Sequence, residues 1–379
     1  MTACVGYWRV NLPAKHCSSK TAFDPWRGMQ AELTVIVGFV GVLLALNVNL
    51  RCIDRCNATS HSRDYTAGIF WFASTRREAT MHFGIRALIA GLVLCPWHLT
   101  TAIGADVKQV SANGAQFAYI EAGQGDPVVL VHGGLQDYRF WNAHLPVFAK
   151  SYRAIAYSRQ NHFPNATSGD GLPDAAADVH GEDLAAILAG LGVKRAHIVA
   201  HSAGAHAALF FAFNHPEMVQ TLIINEPPAT GLLAGTPGGA EVLNEWNVRF
   251  ASTREAFRKG EIDAGLRLFA EAVGGPGTYD RRPESDRKMM SDNALSSVAD
   301  VIATRPRPVF TCDMAKRISA PTLVTNGERT PEFFQRIVDE LERCLPQRTR
   351  VKIPGSSHTV PGEAPNAYDE VVLAFIASH

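Results

Sequence analysis

From Asp106 onward, short apolar runs alternate with stretches whose apolar residues recur every three or four positions. The first kind of pattern predicts strands at residues 116–121, 127–131, 154–157, 196–200, 221–225, 321–325 and 350–353. The run Val128-Val129-Leu130-Val131 has no polar alternation, as expected of a strand covered on both faces. The second pattern predicts helices. Leu184, Ile187, Leu188 and Leu191 form one stripe, closed by Gly192 in the position of a C-terminal glycine. Phe334, Ile337, Val338 and Leu341 form another, and Tyr368, Val371, Val372, Phe375 and Ile376 a third. Strands alternating with helices imply α/β units: a mostly parallel sheet with helices on both faces.

Residues 228–316 break the alternation. They hold glycine-rich stretches and helical patterns such as residues 264–273, and read as a helical cap inserted into the sheet order. The core is then split into 106–227 and 317–379. An insertion of this kind lies over the strand ends, where open α/β sheets bind ligands.

The first 105 residues differ from the rest. Residues 33–50 are an uncharged apolar run between Glu32 and Arg51, long enough to span a bilayer. Residues 81–105 begin at Met81, pass His82 and Arg86, then an apolar segment, and end in small residues. That is the layout of a secretory signal peptide. Residues 1–80 are accordingly read as an upstream extension, with a membrane segment as the alternative, and residues 81–105 as a signal peptide. The expected location is periplasmic or secreted, or membrane-anchored on the alternative.

Lysine plus arginine and aspartate plus glutamate both number 36, which gives no electrostatic footprint for nucleic acid. Five of the seven cysteines precede Asp106. Cys312 and Cys344 remain, either as two buried thiols or as one disulfide, which needs an oxidising compartment. There is no H-E-x-x-H, no zinc-spaced cysteine set, no P-loop and no G-x-G-x-x-G after a strand, so neither metal nor cofactor is expected.

The chemistry begins at Ala200-His201-Ser202-Ala203-Gly204, between a predicted strand and a predicted helix. A serine on a strained strand-to-helix turn needs small neighbours at −2 and +2, and Ala200 and Gly204 supply them. The same serine could instead cap the helix. Two further segments share the chain with it: His132-Gly133-Gly134 after a strand, and Gly355-Ser356-Ser357-His358 after the last strand. In order and spacing these three resemble the α/β-hydrolase family over roughly residues 112–379. The resemblance implies Ser202 as nucleophile, His358 as its base, and the backbone N–H groups of Gly134 and Ala203 as oxyanion donors.

The acid is the departure. Where the family most often places aspartate, this chain reads Gly327-Glu328-Arg329-Thr330, and Thr330-Pro331 looks like a helix N-cap followed by N1. Glu226, after the preceding strand, resembles the relocated acid of haloalkane dehalogenases and zearalenone-type lactone hydrolases. Glu328 is the alternative. Ser158-Arg159-Gln160 also departs from the family's Asp-x-Arg-Gly turn.

A serine nucleophile implies hydrolysis of a carboxylic ester or lactone, a small-molecule substrate, through an acyl-enzyme. The same triad would serve a C–C bond hydrolase, an amidase, a thioesterase or a cofactor-free haloperoxidase. A non-enzymatic ligand receptor on the same fold is the remaining alternative. Phe140, Trp141, Trp246, Phe250 and Phe269 are candidates for apolar pocket lining.

Overall fold

The run Val128-Val129-Leu130-Val131 is buried on both faces, because its alternate side chains enter two separate apolar clusters. The computed structural model describes residues 5–9, 29–36, 47–52, 106–165, 176–302 and 307–379. They fall into two units, Met1–Trp97 and His98–His379.

In the first unit β1 (Val5–Arg9), β2 (Met29–Ile36) and β3 (Asn47–Cys52) form an antiparallel sheet in that order. Both ends of the apolar run 33–50 are therefore strand, with Leu33 opposite Val48 and Thr34 opposite Asn47. Residues 37–46 and the signal-like segment 81–105 lie outside the described residues. Among the described residues no helix is long and apolar enough to cross a membrane.

The second unit is built on β4 (Lys108–Ala112), β5 (Ala115–Ala122), β6 (Pro127–Val131), β7 (Arg153–Tyr157), β8 (Ala196–His201), β9 (Val219–Asn225), β10 (Thr322–Gly327) and β11 (Arg348–Ile353). The sheet order is β11-β10-β9-β8-β6-β7-β5-β4. It is parallel from β11 to β7, and β5 and β4 add antiparallel at one edge. Strand β4 escapes a reading by apolar runs, because at the edge only Val110 and Ala112 turn inward. It is joined to β5 by Asn113-Gly114, both left-handed (φ 45° and 75°), the two-residue turn that hairpins favour.

The helices are α1 (Leu145–Phe148), α2 (Ala177–Gly190), α3 (Ser202–Asn214), α4 (Gly239–Arg258), α5 (Ile262–Gly274), α6 (Thr278–Arg281), α7 (Glu284–Asp292), α8 (Ala294–Ile302), α9 (Cys312–Ala315), α10 (Glu332–Cys344), α11 (Val360–Glu363) and α12 (Pro365–Ala377). Leu184 and Leu188 of α2, Leu209 of α3 and Ile337 and Leu341 of α10 pack with Val129, Val131 and Ile198 on one sheet face. Leu145 and Phe148 of α1 and Tyr368, Val372 and Ile376 of α12 pack with Val128, Leu130 and Val199 on the other.

Helices α4 to α9 lie in the interval between β9 and β10. They have a small core of their own, Phe257, Leu266, Ala270, Met290 and Ala294. One member of that core, Leu135, comes from the loop after β6. Helix α4 also rests on α10 through Trp246, whose ring stacks on Phe333 at 3.8 Å.

Cys312 and Cys344 form a disulfide, with Cα atoms 5.4 Å apart, tying the start of α9 to the end of α10. Replacing both by serine removes a constraint on the unfolded chain and is expected to cost about 2–4 kcal/mol of stability. A lowered urea midpoint, with a steeper slope as the unbridged unfolded chain expands, checks this; unchanged stability would show that the bridge contributes nothing.

Candidate active site

Strand β8 runs straight into α3, and the junction is Ser202, held at φ 53°. A non-glycine residue in the left-handed region is strained, and such strain concentrates at functional turns. Ser202 does not cap α3; His201 occupies the cap position. The tight turn rests on Gly204, where a Cβ would lie 2.3 Å from the His132 carbonyl oxygen.

The Ser202 hydroxyl is 3.0 Å from His358 Nε2, and His358 Nδ1 is 2.7 Å from Glu226 Oε2. These three predicted residues are thus brought together from β8, the loop after β11 and the end of β9. The His358 ring is buried and stacks on Phe334 of α10 at 3.8 Å. Only glycine at position 327 lets β10 end against the His358 loop: a Cβ there would fall 2.3 Å from the Ser357 carbonyl oxygen.

Glu226 is fully buried, with φ 44°. Its Oε1 accepts the Gly327 N–H at 2.8 Å and the Thr330 hydroxyl. Thr330 is therefore not the helix cap read from the sequence. Pro331 stands at that position, and the threonine hydroxyl points to the acid instead. The family's usual acid position has become a donor to the relocated one. Glu328 is exposed, and its Oε2 accepts the Gly355 N–H at 2.9 Å.

Burial pushes the Glu226 carboxyl up from its ordinary range, against the pull of the Thr330 and Gly327 hydrogen bonds. Burial also pushes His358 below the ordinary histidine value, helped by the nearby Arg282 charge. A neutral imidazole at neutral pH follows. With Nδ1–H donated to Glu226, Nε2 is free to accept the Ser202 proton.

A cavity of about 1210 Å³ opens above Ser202 and His358. Gly134 lines it, and Phe269 of α5 reaches over, 3.5 Å from where a Gly134 Cβ would sit. Ala203 is half-buried in the first turn of α3. Of the apolar candidates, Phe140 and Phe269 line the cavity. Trp141 is buried in the sheet core, while Trp246 and Phe250 pack against each other (4.5 Å) and lie outside the lining.

The Ser158-Arg159-Gln160 departure has a structural role. The Arg159 backbone N–H donates to His132 Nε2 at 3.0 Å, and its Nη2 donates to the Gly133 carbonyl at 2.9 Å. His132 Nδ1–H donates to that same carbonyl at 2.8 Å. The Ser158 hydroxyl accepts from Tyr138 and donates to the Phe163 carbonyl. This turn thereby braces the loop that carries Gly134. Of the other histidines, His201 Nδ1–H donates to Asn225 Oδ1 at 2.7 Å, and His197 Nδ1 lies 2.8 Å from the Thr221 hydroxyl.

A sequence model of the alpha/beta hydrolase family matches residues 128–372. The chain belongs to the alpha/beta hydrolase family. A Mycobacterium tuberculosis protein provisionally named non-heme bromoperoxidase BpoC is 28% identical over 291 residues, covering 69% of this chain and 97% of that one. A non-heme haloperoxidase of Rhodococcus erythropolis is 25% identical over 288 residues, covering 71% and 98%. Among solved structures, Est816, described as an N-acyl homoserine lactone degrading enzyme, superposes with TM-score 0.57 at 25% identity, covering 71% of this chain and 100% of that one. Among the described residues of this hydrolase, no three His, Cys, Asp or Glu side chains are placed to hold a metal.

The two candidate acids of this hydrolase separate by mutation. Glu226→Gln is expected to lower kcat/KM of hydrolysis by about 10²–10⁴, because the imidazole loses its orienting partner. Glu328→Gln, at the surface, is expected to change it by about twofold or less. The reverse ranking would move the acid to Glu328.

Proposed function

We propose that this hydrolase cleaves a carboxylic ester or lactone through an acyl-serine intermediate. The observation that carries the reading is the continuous hydrogen-bonded line from Ser202 through His358 to Glu226. Ser202 Oγ attacks the carbonyl carbon while its proton passes to His358 Nε2. Glu226 keeps the ring oriented and stabilises the imidazolium. The N–H groups of Gly134 and Ala203 receive the oxyanion, each worth about 3 kcal/mol in the transition state. His358 then protonates the departing alkoxide. Water, deprotonated by the same nitrogen, releases the acid and restores the serine.

The likeness to Est816 supports lactones among the substrates. The haloperoxidase names of two relatives favour a second reading on the same serine. Hydrogen peroxide in place of water would take the acyl group and depart as a peracid. The Cys312–Cys344 bridge supports a periplasmic or secreted location, since disulfides persist in oxidising compartments.

The first test is a panel of p-nitrophenyl esters and homoserine lactones on the full chain and on Ser202→Ala. Turnover by the parent and its loss in the variant are expected; equal turnover in both would remove Ser202 from the chemistry. Halide oxidation that requires both a carboxylic acid and Ser202 would select the peroxide reading.

The pH profile tests the base. His358 acts when deprotonated, and its value lies below the usual 6.5. So the acid limb that belongs to His358 should lie below the ordinary histidine range, while a limb set by the raised Glu226 carboxyl, at about 8, should vanish in Glu226→Gln. A limb at or above 6.5 that survives in Glu226→Gln would contradict a buried, desolvated base.

A further inference from the structure

The cavity wall is unevenly charged. Arg139, Arg281, Arg282, Lys288 and Arg329 line it, against Asp286 and Glu363. Most of these charges are already engaged. Arg139 pairs with Asp137 at 2.6 Å and Asp292 at 2.9 Å, and Lys288 pairs with the same Asp292 at 2.9 Å. Arg281 and Arg329 are exposed and donate to backbone carbonyls. Glu363 accepts from the Ser357 N–H and hydroxyl, both at 2.6 Å.

Arg282 is different. It is half-buried between α6 and α7. Asp286 and Glu363 act on it through space, yet among the described residues no carboxylate forms an ion pair or hydrogen bond with it. Its Nη2 reaches Thr359 Oγ1 at 3.4 Å, and its Nε–H is buried with no hydrogen-bond partner among the described residues. A buried guanidinium donor with no acceptor is unfavourable unless something completes it. Its planar fork of donors suits a carboxylate taken in two-pronged fashion. Thr359 directly follows His358, so a ligand on Arg282 sits beside the imidazole in the cavity that holds Ser202. Arg282, His358 and Ser202 line one cavity.

We propose that Arg282 binds a carboxylate of the substrate, so that the enzyme prefers esters or lactones carrying a negative charge near the scissile carbonyl. This rests on the hydrolytic reading of the same site and narrows its substrate class.

Two charge-matched pairs locate the anion: p-nitrophenyl hydrogen adipate against p-nitrophenyl hexanoate places it on the acyl side, and p-acetoxybenzoate against its methyl ester places it on the leaving group. Each is measured on the full chain and on Arg282→Gln and Arg282→Lys. In Arg282→Gln the anionic-over-neutral ratio of kcat/KM should fall about tenfold or more for one pair, the loss expected of one charge-assisted hydrogen bond. Arg282→Lys should restore part of it. An unmoved ratio in both pairs, or a loss shared equally by both members, overturns the proposal. Should no ester turn over, the hydrolytic reading fails and calorimetry decides the inference alone. Adipate or benzoate binding to the Ser202→Ala protein but not to Ser202→Ala/Arg282→Gln upholds it. No binding to the Ser202→Ala protein sinks it.

Discussion

One buried carboxyl group organises the site. Glu226 has no exposed surface, and its two oxygens are divided between His358 on one side and Gly327 and Thr330 on the other. Those partners lie 101 to 132 residues further along the chain. A carboxyl in such a place is costly unless every lone pair is used. Satisfying it pins the end of β9, the end of β10, the turn before α10 and the loop after β11 to one point. The orientation of His358 is a by-product of that satisfaction.

Strain is distributed in the same pattern. Leu135, Ser202 and Glu226 follow β6, β8 and β9, and each has a positive φ. Left-handed non-glycine residues cost of order 1–3 kcal/mol apiece and persist only where the surroundings over-determine them. Here the surroundings are three neighbouring strands whose side chains are almost wholly excluded from water. The sheet supplies rigidity at its centre, and the loops at its carboxyl edge are distorted against it.

What the sequence makes legible follows from how local each constraint is. The strands betray themselves by unbroken apolar runs, and the serine turn by its small neighbours, because both requirements act within a few residues. The acid is harder. Glu226 is picked out by resemblance and by position, but the use of Thr330 is hidden, since Thr-Pro before a helix is an equally good local cap signal. Only the meeting of β9 and β10 decides between the two. Strand β4 is missed because an edge strand needs few apolar residues, although Asn113-Gly114 marks its hairpin. Arg282 has no local signature at all. That its Nε–H is buried without an acceptor among the described residues follows from how α6 and α7 lie over the cavity. The bracing role of Arg159 is likewise tertiary: its partners, His132 and Gly133, sit on another strand's loop.

Leu135 adds a mechanical consequence. It is the neighbour of Gly134 in sequence, yet its side chain is a member of the helical insertion's own core, packed with Phe257, Leu266 and Met290. The insertion and the loop that carries Gly134 therefore share one core. Leu266 and Ala270 of α5 and Met290 of α7 bear on the residue next to Gly134. A change in how the insertion packs is thus passed through Leu135 to the cavity wall beside Ser202.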